Sequence, residues 1–186
     1  MTTDLKTDLK AEWPRIVRHF EESIFTSRFY TFATVNPDGS AHATPIASLV
    51  LNDDCSGYFS DVFQGKMQQN IKSDQRVCVL AVRMGLWFWL KALIRGRYED
   101  WPGIRLYGSM GEQRKARPGE IDRWRRRVNK FKGLKGYTLL WKHVDRVRDI
   151  RFTHCEPIRM GAMTGHLFPA DGDSGADLGL ENGHPT

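Results

Sequence analysis

The apolar residues near the start of the chain recur every three or four positions, which is the period of an amphipathic helix. They are Leu9, Trp13, Ile16, Val17, Phe20, Ile24 and Phe25. Residues 29–35 are instead aromatic and β-branched, and the turn Pro37-Asp38-Gly39 follows them. Residues 42–51 are strand-like again. The pattern therefore predicts a helix that leads into a β-hairpin.

The rest of the chain combines strand-like runs with helices and one apolar insertion. Further strands are predicted over residues 58–60, 77–82, 104–110, 138–144 and 147–155. Helices are predicted over residues 65–73 and 118–131. Because tight turns join the strands and the helices are inserted between them, the order indicates a mainly β chain. We expect an antiparallel barrel decorated by helices.

We expect one barrel domain with a helix before it and a polar tail after it. A chain of 186 residues with 40% hydrophobic content can bury one substantial core. Residues 1–27 are predicted to form an N-terminal helix that packs on the barrel. Residues 28–166 are predicted to form the barrel domain, with helical insertions at 85–100 and 118–132. Residues 167–186 are rich in Gly, Asp and Pro and are expected to be disordered.

Three features of the sequence predict a cytoplasmic protein. Cys55, Cys78 and Cys155 are far apart, form no Cys-x-x-Cys pair and have no histidine spaced for zinc, which predicts reduced thiols and no metal site. The first residues lack the basic patch and apolar run of a signal peptide. The apolar run 86–94 is about half as long as a membrane-spanning helix, so no transmembrane segment is expected.

The formal net charge of +6 is unevenly distributed, because residues 167–186 hold four acidic residues and no Lys or Arg. Residues 1–166 therefore carry +10. A body this basic favours an anionic partner, whether a phosphorylated cofactor, a nucleic acid or an acidic membrane surface. The helix 120–132 is the most basic segment, but no base-reading motif accompanies it, so we interpret its basic face as solvated and expect no nucleic-acid partner.

Several short motifs follow one another in a fixed order. They are residues 32–45 with their Pro37-Asp38-Gly39 turn, then Tyr58-Phe59-Ser60, Lys66, Asn70-Ile71 and Arg76-Val77-Cys78-Val79. Together they resemble the pyridoxamine 5'-phosphate oxidase-like family of FMN-binding split barrels. The resemblance implies a split antiparallel β-barrel of about six strands, of the FMN-binding type. It also implies a homodimer in which both subunits line each flavin groove.

The resemblance also implies which residues hold the cofactor. Lys66 would be the cation for the flavin phosphate and Ser60 a hydroxyl donor, and a phosphate dianion needs both kinds of group. The strand from Thr44 to Ala47 would lie along the isoalloxazine edge, with Thr44 and Ile46 offering backbone groups. The predicted cofactor-binding set is Thr44, Pro45, Ile46, Ala47, Phe59, Ser60, Lys66, Met67, Asn70 and Arg105. No catalytic side chain is identified.

The sequence departs from the family at several cationic positions. Members that oxidise pyridoxamine phosphate resemble one another in having basic residues near Thr44 and Leu49, two adjacent cations around Lys66, and a glutamine near Gly103. Here these places read Thr44, Leu49, Lys66-Met67 and Gly103, which argues against the vitamin B6 reaction. The arginines that could replace the missing cations are Arg83, Arg95, Arg97 and Arg105.

The insertion 85–100 is apolar on nearly every face if it is helical, so something must cover it. We favour packing in the core or in a dimer. The second interpretation is a lid in which Trp87 or Trp89 covers the flavin or a flat substrate. The third is a peripheral membrane contact through residues 86–97, with Arg95 and Arg97 on the headgroups.

The sequence therefore predicts an FMN-dependent oxidoreductase whose substrate is unknown. Its partners would be a small-molecule redox substrate or a nicotinamide donor. One alternative keeps the fold and changes the cofactor to the deazaflavin F420. Another is a non-catalytic carrier or sensor of flavin or haem.

Overall fold

The computed structural model describes residues 8–61, 65–129, 132–133, 135 and 145–168. The helices in this part of the chain are α1 (Leu9–Ser27), α2 (Lys66–Ser73), α3 (Leu86–Arg95) and α4 (Pro118–Val128). The strands are β1 (Tyr30–Val35), β2 (Ala41–Ile46), β3 (Val50–Leu51), β4 (Ser56–Ser60), β5 (Arg76–Val82), β6 (Gly103–Lys115) and β7 (Arg146–Pro157). Two 3-10 turns, Gly161–Met163 and Gly165–Leu167, follow β7.

The strands form one antiparallel sheet in the order β2-β1-β5-β6-β7-β4-β3. The predicted mainly β, antiparallel chain with inserted helices is therefore confirmed. The described residues contain seven strands and not about six. Within these residues the edge strands β2 and β3 do not pair with each other, so the sheet is open and does not close into a barrel.

The predicted strand 42–51 is in fact two strands. After Ile46 the chain leaves β1, and at Val50 it begins to pair with β4. Between them, the Ser48 hydroxyl accepts the backbone N–H of Ser60 at 3.1 Å. This break depends on a distant strand, which explains why the local β pattern did not show it. β6 also continues past residue 110 to Lys115, because Gln113, Arg114 and Lys115 pair with β7 after an irregularity that follows Met110.

The hydrophobic core lies between α1 and one face of the sheet. Trp13, Ile16 and Phe20 of α1 are buried in one cluster with strand residues such as Phe32. Two hydrogen bonds hold the helix on the sheet. The Tyr30 hydroxyl donates to the Phe20 carbonyl at 2.7 Å, and the Trp13 indole N–H donates to the Asn52 carbonyl at 2.6 Å. α1 then ends at Arg28, whose left-handed backbone (φ 71°) turns the chain into β1.

Some predictions fall on residues outside the described part of the chain. These are the strand 138–144, the end of the helix 118–131 and the tail beyond residue 168. Leu167 and Phe168, at the start of the predicted tail, pack against the core. In the described residues, no helix is long and apolar enough to cross a membrane.

Helix α2 is attached to β1 and its turn by one buried amide. Asn70 is fully buried, and its Nδ2 donates to Thr34 Oγ1 at 3.1 Å and to Asn36 Oδ1 at 2.8 Å. Asn70, Thr34 and Asn36 are all less than one-tenth exposed. The position of α2 therefore depends on a polar contact inside the core.

Replacing Asn70 by Ala should lower the free energy of unfolding by about 2–3 kcal/mol, because both hydrogen bonds are lost and buried acceptors remain unpaired. Urea unfolding measures the change. Gln69→Ala, at the exposed neighbouring position of α2, is the matched control and should change the value by less than about 0.5 kcal/mol. Equal stabilities of the two variants would contradict this role of Asn70.

A buried histidine lies on the core side of α1. His19 is 2% exposed. Burial lowers its pKa from 6.5 to about 4, and the positive charges of Arg83 and Arg15 act in the same direction. The backbone of Ala81 and the carboxylate of Asp100 oppose this shift only in part. The folded protein therefore holds His19 neutral.

Because the folded pKa of His19 lies below the unfolded value, its contribution to stability is complete above pH 6.5 and is lost as the pH falls toward about 4. From about pH 7 to about pH 5 this histidine should reduce the free energy of unfolding by about 2 kcal/mol. Denaturant unfolding of wild type and His19→Leu at both pH values tests the prediction. A variant with the same pH dependence as wild type would rule it out.

Candidate functional site

The end of β4 and the start of α2 meet at the carboxylate of Asp61. Asp61 is 3% exposed. Its Oδ1 accepts a hydrogen bond from Gln68 Nε2 at 2.6 Å, and its Oδ2 accepts one from Arg148 Nε at 2.8 Å. Gln113 Nε2 donates to the Asp61 backbone carbonyl at 2.7 Å. Because Gln68 lies in the first turn of α2, this network places that turn beside the end of β4, where Ser60 lies.

Hydroxyl and amide donors lie at this junction. Ser60 ends β4, and its backbone N–H is bonded to the Ser48 hydroxyl. Helix α2 begins after Gly65, and no side chain caps its first turn. The first backbone N–H groups of a helix have no partner within the helix, and the helix dipole makes this end attractive to anions. We call the group formed by Ser48, Ser60 and residues 65–67 the β4–α2 junction.

Lys66 adds a positive charge to the β4–α2 junction. It is exposed and is the first residue of α2. The hydroxyl and backbone of Ser40 lower the pKa of Asp38, and the charge of Lys66 adds to this effect. Lys66 therefore lies close enough to the β1–β2 turn to influence it. The turn, the end of β4 and the start of α2 converge here.

The Asp61 carboxylate does not make the junction negative. The Arg148 guanidinium pairs with it, and their side chains are only 12% and 1% exposed. Arg148 Nη1 also donates to the Gly111 carbonyl at 2.6 Å. Sequence reasoning missed Asp61, Arg148, Gln68 and Ser48. Asp61 and Arg148 are 87 positions apart, and the local sequence offered only an acidic residue directly after a strand.

The backbone of β2 presents its polar groups in an alternating order. The Asn36 N–H donates to the Ser40 carbonyl at 2.8 Å, and the register pairs Phe32 with Thr44 and Tyr30 with Ile46. In an antiparallel pair, hydrogen-bonded positions recur at every second residue. The alternation therefore directs the backbone groups of Thr44 and Ile46 toward β1, so the prediction that these two residues offer backbone groups to a ligand is wrong. It directs those of Ala43, and the Pro45 carbonyl, toward the outer edge, while Ala47 lies just past the end of β2.

The other predicted cofactor residues lie in two different surroundings. Phe59 and Met67 belong to the hydrophobic core, and the Asn70 amide is used to attach α2. On β2, Thr44 Oγ1 lies 3.0 Å from His42 Nε2. Arg105 lies on β6 and forms an ion pair with Glu156 at 3.3 Å. The structure thus brings Ser60, Lys66 and Met67 together, and Arg105 lies on another part of the sheet.

Three of the four proposed replacement cations, Arg83, Arg95 and Arg105, already contact carboxylates. Arg83 pairs with Glu22 at 2.7 Å and with Asp100 at 3.4 Å. Arg95 pairs with Glu99. Arg97 is exposed after the end of α3. Lys66 is therefore the predicted cation that lies at the β4–α2 junction.

The sheet face opposite the core is broad and half-buried. The strand registers align two rows of side chains across five strands of this face. One row is Pro45, Thr31, Leu80, Arg105 and Glu156, and the other is Ala43, Ala33, Cys78, Tyr107 and His154. The rings of Tyr107 and His154 stack at 4.5 Å. Burial and the hydrogen bond to Glu156 raise the pKa of Tyr107. We call this surface the outer face.

Together, the open antiparallel sheet and the β4–α2 junction define a mainly β protein with a candidate site for a phosphorylated ligand. The sequence comparison then identifies the family. Residues 16–151 match pyridoxamine 5'-phosphate oxidase, so the chain belongs to that family. None of the curated proteins matches the chain.

Solved structures with a similar fold share little sequence with this chain. HupZ of Group A Streptococcus is 18% identical, with a TM-score of 0.48, over 78% of this chain and 97% of that one. An FMN-binding protein from Syntrophomonas wolfei is 15% identical, with a TM-score of 0.48, over 82% and 95% of the two chains. An F420 reductase is 14% identical, with a TM-score of 0.46, over 69% and 88%. At these values the likenesses carry no argument about ligand or activity.

Proposed function

We propose that the protein binds FMN at the β4–α2 junction and is an FMN-dependent oxidoreductase that acts on a small-molecule redox substrate or a nicotinamide donor. One observation carries the proposal. In a chain of the pyridoxamine 5'-phosphate oxidase family, the Gln68–Asp61 hydrogen bond of 2.6 Å places the first turn of α2 beside the end of β4. Ser60 ends β4 and Lys66 begins α2, so these two residues flank the contact.

The donors at the junction suit a flavin phosphate. A phosphate dianion needs hydroxyl or amide donors together with a cation. Ser60 and Ser48 supply hydroxyls, the uncapped first turn of α2 supplies N–H groups, and Lys66 supplies the charge. Asp61 lies beside them, but Arg148 neutralises it. The residues therefore fit the group.

We place the isoalloxazine ring along β2. The outer edge of β2 offers the backbone groups of Ala43 and the Pro45 carbonyl, which complement the polar edge of a flavin, and Ala47 follows directly after the strand. Thr44 and Ile46 contribute side chains on the core-facing side, next to Phe32 and Tyr30 in the register. When bound, FMN would supply the electron or hydride transfer, while these residues hold and orient it. The missing family cations argue against the vitamin B6 reaction itself.

Replacing Lys66 by Gln should raise the Kd for FMN about tenfold to a hundredfold, because one charge-assisted contact to the phosphate is lost. Flavin fluorescence titration measures the Kd. Lys72→Gln, an exposed lysine at the other end of α2, is the matched control and should bind FMN like wild type. Ser60→Ala should weaken binding in the same direction. Equal Kd values for all four proteins would reject the junction as the phosphate site.

The identity of the cofactor needs its own experiment. We expect the purified protein to carry a chromophore with the spectrum and mass of FMN. Titration with F420 and with haem tests the alternatives. If either one binds with a lower Kd than FMN does, it replaces FMN in the proposal. Reduction of the bound flavin by NADH or NADPH, with multiple turnovers, would support the oxidoreductase. Stoichiometric binding without turnover would indicate a carrier or sensor.

We also propose that the protein is a homodimer joined through the outer face. Leu80, Cys78 and Tyr107 are only half-buried there although they lie in the middle of the sheet. A second copy would remove these half-buried side chains from water, and burial of apolar surface is the main driving force for association. It would also bring residues of the partner close to β2, where we place the flavin ring.

The dimer proposal predicts that Leu80→Asp lowers the particle mass by half. An aspartate at this position in the middle of the face would lose its hydration when the two copies join, and this desolvation opposes association. Multi-angle light scattering should give about twice the chain mass of 21.4 kDa for wild type and the chain mass for the variant. Gln69→Asp, at an exposed position of α2, should stay dimeric. A monomeric wild type would remove the proposal.

A further inference from the structure

Helix α3 presents an apolar stripe to solvent. Leu86, Trp87, Leu93 and Ile94 are 78%, 79%, 65% and 76% exposed, and Leu90 is 39% exposed. At about 100° per residue these five side chains fall within one arc about 120° wide. We call them the α3 stripe. Of the favoured expectation, packing in the core or in a dimer, the core of the chain does not cover this half of the helix.

The opposite side of α3 fixes the direction in which the stripe points. Ala92 is 3% exposed. The rings of Phe88 and Trp89 lie 5.4 Å and 5.5 Å from the ring of Tyr98, and the Trp89 indole N–H donates to the Arg83 carbonyl at 2.8 Å. Because one side is anchored by aromatic packing, the helix cannot roll to bury the stripe without breaking these contacts. Trp89 therefore serves as an anchor, and Trp87 faces outward.

Basic residues border the stripe on one side. Lys91 and Arg95 are the next side chains around the helix after Trp87, and Arg97 follows the helix end. Lys91 and Arg95 share one carboxylate, Glu99, so the segment keeps a net positive charge. A helix with Trp and Leu on one face and Lys or Arg beside them is typical of segments that lie in a membrane interface.

The apolar surface continues beyond α3. The Met84 N–H donates to Thr26 Oγ1 at 3.0 Å, which joins the start of α3 to the end of α1. Met84 is 57% exposed, and Phe25, next to Thr26 on α1, is 71% exposed. The exposed side chains therefore extend past a single helix, and soluble proteins rarely leave such a surface uncovered.

We infer that the α3 stripe lies on the surface of an anionic phospholipid bilayer, with Lys91, Arg95 and Arg97 at the headgroups. Charge decides between this partner and a second copy of the chain. Two copies packed antiparallel through the stripe would bring their like-charged borders to the same side, whereas anionic headgroups complement the border. The stripe is separate from the outer face, so this inference goes beyond the proposed function.

Sedimentation with vesicles tests the inference. Wild type should pellet with vesicles of phosphatidylcholine and phosphatidylglycerol, and added salt should weaken the binding. Trp87→Ser combined with Ile94→Ser should reduce the vesicle partition coefficient by about tenfold or more, because two exposed anchors are lost. Met160→Ser, at a partly exposed apolar position elsewhere, is the matched control and should bind like wild type. Circular dichroism should show that all variants are folded.

A second pair of variants tests the basic residues that border the α3 stripe. Arg97→Gln should weaken binding to the anionic vesicles, and Lys72→Gln on α2 should not. Wild type that stays in solution, or that binds pure phosphatidylcholine equally well, would overturn the inference. A smaller particle mass for the Trp87→Ser and Ile94→Ser variant would also overturn it, because the stripe would then join copies of the chain. FMN titration of the same variants keeps this result separate from the flavin proposal.

Discussion

The Asp61 carboxylate is buried at the point where β4, β6, β7 and α2 meet. A carboxylate in this position is costly unless it is paired and hydrogen-bonded. Arg148 supplies the charge, and Gln68 and Gln113 supply amides, so each neighbouring element provides one partner. Removing Arg148 would leave the buried charge of Asp61 uncompensated, and removing either glutamine would leave the carboxylate short of a hydrogen bond. The position of α2 relative to β4, and with it the whole candidate site, therefore depends on this carboxylate being satisfied.

The spacing of apolar residues along the chain predicted the elements that are determined by nearby sequence. α1 and the hairpin of β1 and β2 formed where the spacing of apolar residues and the Pro37-Asp38-Gly39 turn placed them. The division of residues 42–51 into β2 and β3 was not predictable in this way, because it follows the pairing with β4 and the Ser48–Ser60 hydrogen bond. The network around Asp61 was missed for the same reason, since its partners are distant in sequence.

The predicted net charge of +10 for residues 1–166 was a sum over all their charged side chains. The fold distributes those charges unevenly. Arg83, Arg105, Arg114 and Arg148 all contact carboxylates, and Arg114 alone holds both Glu120 and Asp149. Positive charge that is paired in this way contributes little to the attraction of a distant anion. An anionic partner would therefore respond to local groups such as Lys66 at the junction or Arg97 beside α3, rather than to the net charge. Sequence composition could not separate these cases, because pairing is a property of the fold.

Strand β2 links the two surfaces that the proposed function uses. It is an edge strand of the sheet that the described residues form, and an exposed strand edge tends to pair with other chains. Pro45 has no N–H to offer at that edge, so it disfavours continuous pairing there. A second copy of the chain would then pack on the outer face, to which β2 contributes Ala43 and Pro45. Since the outward-directed backbone of the same residues is where we place the flavin ring, the cofactor and the partner would meet along one strand.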